Sequence, residues 1–269
     1  MKDIILKVEN ISYSVDKKDS FSGVQPFEIL KNISFEIERG KVLGISGQSG
    51  SGKSTLAKIL AGIFHQSSGN IEYNFKKDWS DSLPKPVQIL FQNDGELINP
   101  FRKVKDVLRE AFELKFKKSK SYNLEIEDIF NRFNLNPKLK ESQGSQLSGG
   151  EKQRIALARI VIVEPEVLVL DEPFSSQDVE AQVEILKLIN KLKSELDLTI
   201  ICVSHDLNIL KNFSDDLIIM YNGKIVESGP TAALIANPNN EYTKFLLSAQ
   251  SLKLSEEEIQ TFHKNYEQN

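Results

Sequence analysis

The run Gly47-Gln48-Ser49-Gly50-Ser51-Gly52-Lys53-Ser54-Thr55 has the residue types and spacing of a loop that encloses a polyphosphate. Its glycines let backbone N–H groups turn inward and approach phosphate oxygens that a Cβ would hold off. Lys53 is placed to reach the β- and γ-phosphates, and the Ser54 hydroxyl to ligate Mg²⁺. An apolar run, Val42-Leu43-Gly44-Ile45, precedes the loop, and Leu56-Ala57-Lys58-Ile59-Leu60 follows it with helical spacing. Strand, glycine loop and helix is the context the motif needs, because the helix start adds unpaired N–H donors and a partial positive charge. With glycine at ~7% of residues, a chain of this length matches by accident on the order of once in a hundred.

Two further clusters carry chemistry. Val167-Leu168-Val169-Leu170 runs directly into Asp171-Glu172-Pro173. That pattern puts Asp171 at the carboxyl end of a buried strand, where open α/β sheets bind ligands and where it can hold Mg²⁺ directly or through water. Leu147-Ser148-Gly149-Gly150-Glu151, followed by Lys152-Gln153-Arg154, precedes a helix through Ile155-Ala156-Leu157-Ala158. Serine is a good cap for that helix, and the two glycines free the backbone to approach an anion.

The elements that must position these groups follow from periodicity. Ile4 to Val8 and Ile33 to Ile37 alternate as strands, with Gly23 and Pro26 expected in the loop between them. Short strands are expected at Ile71-Glu72-Tyr73 and Val87 to Phe91. From about Val104 to Ile160 the spacing becomes helical, with Val104, Val107, Leu108, Ala111 and Phe112 on one face and Ile126, Ile129, Phe130 and Phe133 on another. Val167 to Leu170 then reads as a strand covered on both faces, Val183 to Leu196 as a helix, and Thr199 to Val203 and Leu217 to Met220 as strands. Parallel strands joined by helices imply an α/β fold with helices on both sides of the sheet. The helical block reads as a separate lobe, a helical appendage is expected beyond about Gly229, and Ser255 to Asn269 is polar enough to fray.

Composition narrows the function classes. With 34 Lys+Arg against 38 Asp+Glu, the chain lacks the basic footprint of a nucleic-acid binder, so no nucleic-acid partner is expected. The one cysteine, Cys202, lies in an apolar run and reads as a small core residue, which suits a reducing compartment. No apolar run approaches the ~20 residues of a membrane span, and the N-terminal apolar segment is too short for a secretory signal. A membrane role is therefore expected to come through a partner.

With the glycine loop, the Leu-Ser-Gly-Gly run and the apolar-Asp-Glu run in this order, the chain resembles the nucleotide-binding subunit of ATP-binding-cassette transporters over nearly its whole length. The resemblance implies a P-loop (RecA-like) α/β core with an N-terminal antiparallel β region and an inserted helical subdomain. It sets an ATPase domain at 1–229, with the core about 1–92 and 161–229, the helical subdomain about 93–160, and a C-terminal helical extension at 230–269. It also implies ATP and Mg²⁺ as ligands, and a head-to-tail dimer in which the glycine loop of one subunit and Ser148, Gly149 and Gly150 of the other sandwich each ATP. Glu172 is then the general base toward water. Gln92 matches the glutamine loop that senses Mg²⁺ and the γ-phosphate, and His205, in Val203-Ser204-His205-Asp206, matches the histidine that contacts the γ-phosphate. Two positions depart from the family's pattern. Gln177 stands in Ser175-Ser176-Gln177-Asp178 where an apolar residue is usual at the dimer seam, and Val15 takes the place of the adenine-stacking aromatic, with Tyr13 two residues earlier on the same expected strand face.

Phe91-Gln92-Asn93-Asp94-Gly95-Glu96-Leu97-Ile98-Asn99-Pro100 and the tail from Asn237 to Ala249 are similar to the oligopeptide, dipeptide and nickel importer branch. That likeness implies an ATPase subunit on the cytoplasmic face of a membrane, bound to transmembrane permease subunits and to a second cassette, a heterodimer being favoured over a homodimer. The competing expectation is a non-transport cassette in a soluble complex, such as a phosphonate-lyase accessory ATPase.

Overall fold

Two long strands, β1 (Ile4–Asp19) and β2 (Gly23–Glu38), pair antiparallel at the start of the chain. The computed structural model describes residues 2–19, 23–76, 84–91, 98–118, 121–174 and 179–250. After the hairpin come β3 (Val42–Ser46), α1 (Lys53–Leu60), β4 (Ser68–Tyr73) and β5 (Val87–Leu90). The helical block holds α2 (Val104–Phe116), α3 (Asn123–Arg132), two short 3-10 turns and α4 (Gly149–Ile162). Then follow β6 (Val167–Asp171), α5 (Val179–Leu196), β7 (Thr199–Val203), α6 (Leu207–Phe213), β8 (Asp216–Tyr221), β9 (Lys224–Pro230), α7 (Thr231–Ala236) and α8 (Glu241–Gln250).

The strands form two sheets: an antiparallel one in the order β2-β1-β4, and a six-stranded one in the order β5-β6-β7-β3-β8-β9. All contacts in the larger sheet are parallel except β8 with β9. In β3, β6 and β7 every residue is buried, as a parallel strand covered on both faces requires. Alternation divides their side chains. Val167, Val169, Ile201 and Val203 join a core with the antiparallel sheet and α1, while Leu168, Leu170, Ile200 and Cys202 face the helices. Val104, Leu108, Phe130 and Ile155 of the helical block belong to that second core, so block and sheet share one continuous apolar cluster. Cys202 is fully buried, and burial pushes its thiol far above the ordinary range, as expected of a core residue.

Three local expectations change. Gly23 and Pro26 lie inside β2 rather than in a loop. The strand is at a sheet edge, where some N–H groups have no neighbour to serve, so the proline is tolerated. The strand β9 went unforeseen, although Asn222 (φ 47) and Gly223 (φ 78) supply the left-handed pair of a tight hairpin turn. Helix α5 begins at Val179, four residues before its periodic apolar face becomes legible.

Candidate functional site

The glycine loop joins β3 to α1 in the centre of the main sheet, between β7 and β8. A Cβ built on Gly47 (φ 149) would lie 2.1 Å from the Met220 carbonyl oxygen, so the neighbouring strand itself excludes any side chain there. Gly50 (φ 80) faces open space instead, which leaves the front of the loop clear. Lys53 opens α1 with its side chain folded back, Nζ donating to the carbonyls of Gly47 and Gln48 at 2.8 Å each. Its burial lowers the lysine pKa, against the opposing pull of the Glu172 and Asp171 charges. Beside it, the buried hydroxyls of Ser46 and Ser51 have no hydrogen-bond partner among the described residues. Orphaned buried donors, a clear loop face and a buried cation suit an anionic ligand with many acceptor oxygens.

The ends of β6 and β7 bring the acids and the histidine to the same edge. Asp171 Oδ1 accepts from the Ser54 hydroxyl at 2.9 Å, which ties β6 to the first turn of α1. Burial raises the Asp171 pKa, opposed by that hydrogen bond and by Lys58 and Lys53. Ser54 and Asp171 form the oxygen pair that a hard divalent cation would take. Glu172 follows in the left-handed region (φ 53), its N–H donating to Val203 O at 2.9 Å. Its carboxylate meets His205 twice, accepting the backbone N–H on Oε1 at 3.0 Å and lying 2.8 Å from Nδ1 through Oε2. The histidine ring is 65% exposed while the Glu172 side chain is 11% exposed. A sheltered carboxylate therefore holds one ring nitrogen and turns the rest of the ring toward open space.

Ser148 caps α4 in a capping box: its Oγ accepts from Glu151 N at 3.3 Å, and its own N–H donates to Glu151 Oε2 at 2.8 Å. A Cβ at Gly149 or Gly150 would meet nothing within 4 Å. The structure thus gathers Lys53, Ser54, Asp171, Glu172 and His205 at the carboxyl ends of the inner strands β3, β6 and β7, whereas Ser148, Gly149 and Gly150 make no hydrogen bond to the glycine loop among the described residues. Tyr13 stacks on Phe64, ring centroids 5.7 Å apart and 3° from parallel, while Val15 is exposed. A register shift falls beside Tyr13, where Tyr13 pairs with Leu30 and Ser14 with Glu28, so that the extra residue, Ile29, belongs to β2. Gln92 and Gln177 lie outside the described residues.

Sequence reasoning missed three residues around the site. The Gln153 amide, buried one turn into α4, donates to Pro173 O and so ties the signature helix to the segment after Glu172. From α8, the Tyr242 hydroxyl accepts from Gln48 N at 2.9 Å, and Gln250 bonds the segment after β7. No periodicity marks any of them, because each contact spans distant parts of the chain.

Residues 30–175 match the ABC transporter family. The dipeptide transport ATP-binding protein DppF of Haemophilus influenzae is 36% identical over 240 residues, covering 87% of this chain and 73% of that protein. The oligopeptide transport ATP-binding protein OppF of Streptococcus mutans is 31% identical over 271 residues, covering 98% of this chain and 87% of that one. Among solved structures, cbiO1 of Clostridium perfringens, part of an ABC transporter complex, superposes with a TM-score of 0.72 at 31% identity, over 88% of this chain and 92% of its own. A dimeric ATP-binding cassette bound to ADP and Pi gives the same TM-score at 23% identity, over 84% and 99% of the two chains, and shares the fold. With its phosphate loop, paired acids and capped Leu-Ser-Gly-Gly helix in that fold, the chain belongs to the ABC transporter family of ATPases.

Proposed function

We propose that this chain is the ATP-hydrolysing subunit of an importer for dipeptides or oligopeptides, acting at the cytoplasmic face of a membrane. The observation that carries the reading is the Lys53, Ser54, Asp171, Glu172 and His205 cluster at the carboxyl ends of β3, β6 and β7, in a chain whose relatives are peptide-transport ATP-binding proteins. The loop from Gly47 to Thr55 would cradle the triphosphate, with Lys53 neutralising its charge. Ser54 and Asp171 would hold Mg²⁺, and Gln92 would report its presence. Bound there, Mg²⁺ offsets the negative charge on the phosphate oxygens.

Glu172 is the base in this reading: its sheltered carboxylate would orient water and take its proton. His205, held by Glu172 through Nδ1, would present Nε2 to the γ-phosphate. Tyr13 would stack on adenine with the ring face turned away from Phe64. A second cassette, in a heterodimer by preference, would bring its own Leu-Ser-Gly-Gly helix to this site and receive Ser148, Gly149 and Gly150 in return. Positioning and charge stabilisation then account for the catalysis. No helix among the described residues is long and apolar enough to cross a membrane, so permease subunits would provide the membrane contact. No observation favours the soluble-complex alternative.

Affinity purification of the tagged chain from membranes tests this reading, with permease subunits and a second cassette as the expected companions. Recovery with soluble partners alone would overturn the importer assignment. Calorimetry with Mg²⁺ that detected no uptake of adenine nucleotide by the purified complex would overturn the ATPase roles.

A further inference from the structure

Helix α8 lies C-terminal to every motif that the ATPase reading uses, yet its two ends grip the two loops that must act together. At its start, Asn239 N and Asn240 N donate to the Glu227 carboxylate of β9 at 2.8 and 3.3 Å, and Asn240 Oδ1 accepts from Tyr242 N at 2.9 Å. Tyr242 is 1% exposed and packs on Tyr221, the last residue of β8, at 4.5 Å between ring centroids. The ring is thus fixed in place, with its hydroxyl accepting the Gln48 N–H of the phosphate loop at 2.9 Å. At the other end of the helix, Gln250 Oε1 accepts from Leu207 N at 2.8 Å, and Gln250 Nε2 donates to His205 O. One rigid helix, about 15 Å long, therefore ties the entry of the phosphate loop to the backbone that carries His205.

We propose that α8 is a clasp in which Tyr242 positions the phosphate loop and Gln250 positions the His205 segment, so that nucleotide grip and γ-phosphate contact are set by one element. The proposal deepens the ATPase reading and rests on it. Both residues act through the backbone, Tyr242 through Gln48 N and Gln250 through Leu207 N and His205 O. The Gln48 N–H points outward to Tyr242, which frees the following amides to turn toward phosphate without competition from an unpaired donor. On the far side, His205 is fixed twice, through its carbonyl by Gln250 and through its ring and N–H by Glu172.

The test uses the full chain with its partner cassette and two substitutions outside the catalytic set. Tyr242→Phe keeps the ring and its packing on Tyr221 and removes the hydroxyl that accepts from Gln48 N; Gln250→Ala removes both bonds to the His205 segment. Hydrogen–deuterium exchange without nucleotide is expected to quicken about tenfold in 44–52 for Tyr242→Phe and in 203–210 for Gln250→Ala, the scale of one lost hydrogen bond. In turnover, Tyr242→Phe is expected to raise KM for ATP about fivefold with kcat within about twofold, and Gln250→Ala to lower kcat about fivefold with KM within about twofold. A merely structural role would instead lower the active fraction, reducing kcat in both variants at constant KM. That pattern, or unchanged exchange in 44–52 for Tyr242→Phe, overturns the clasp. Because exchange is read without nucleotide, a wild-type protein that failed to hydrolyse ATP would sink the ATPase reading, while the exchange rates still decide whether α8 holds the two loops.

Discussion

Glu172 occupies a left-handed backbone position (φ 53) that costs a non-glycine residue free energy, and three contacts keep it there: Val203 O, His205 N and the His205 ring. Glu172→Gln retains an oxygen to accept the His205 N–H but leaves no base. Its kcat is expected to fall by about 10²–10⁴ with ATP binding preserved, the range attributed to a positioned general base. Phosphate release near the wild-type rate would refute the assignment. Asp171 yields a prediction with a definite pH sign. Burial holds its folded pKa above the ordinary carboxylate value, against the hydrogen bond from Ser54 and the attraction of Lys58 and Lys53. Between the unfolded and the folded pKa the native state binds more protons, so ionising this group weakens folding as pH rises through that window. Asp171→Asn should therefore melt higher than wild type at pH 7 without nucleotide. The gain should shrink as pH falls below the raised pKa, and turnover should be lost. A variant that melts lower than wild type at pH 7 would show that the carboxylate's partners outweigh its burial. At this scale the sequence marks Lys53, Ser54 and Asp171 through two short local patterns, and the structure brings Ser54 and Asp171 to within 2.9 Å. The sequence is silent at Tyr242, whose bond to Gln48 joins residues 194 apart.

Elements were legible in proportion to how completely their burial pattern was local. β6 and β7 could be read directly because strands covered on both faces are apolar at every position. The β1–β2 hairpin was truncated in the reading because Gly23 and Pro26 signal a turn, and nothing local reveals that β2 is an edge strand able to absorb a proline. The signal for β9 is the Asn222-Gly223 turn alone, because the polar and glycine residues of the strand give it no apolar alternation. The close approach of the phosphate loop to β8 also belongs to this scale. Gly47→Ala would push a methyl carbon onto the Met220 carbonyl, and backbone cannot swing aside as a side chain can. The expected result is a loss of about 1–3 kcal/mol of stability and nucleotide binding weakened more than about tenfold. Thermal melts and nucleotide titrations check both; wild-type affinity would mean that β8 yields and that the loop tolerates the shift.

At the scale of the whole molecule, the chain is half of a machine in the proposed reading, and the structure suggests how to expose the missing half. Gly149 sits at the exposed start of α4, where a Cβ meets nothing within 4 Å and an acidic residue would favour the helix end. Gly149→Asp should therefore leave the folded subunit and its nucleotide affinity intact, and any loss of turnover must arise where another chain comes close. Lys53→Ala, by contrast, damages the loop of its own chain. If this chain pairs with itself, neither variant alone should turn over ATP, whereas an equimolar mixture should recover a measurable fraction. The recovery arises because mixed dimers combine the intact phosphate loop of the Gly149→Asp chain with the intact signature of the Lys53→Ala chain. If it pairs only with a different cassette, mixing restores nothing, and each variant instead disables one of two sites when combined with that partner. Full activity of Gly149→Asp in every pairing would contradict both arrangements, because an introduced carboxylate at a sandwiched triphosphate repels it.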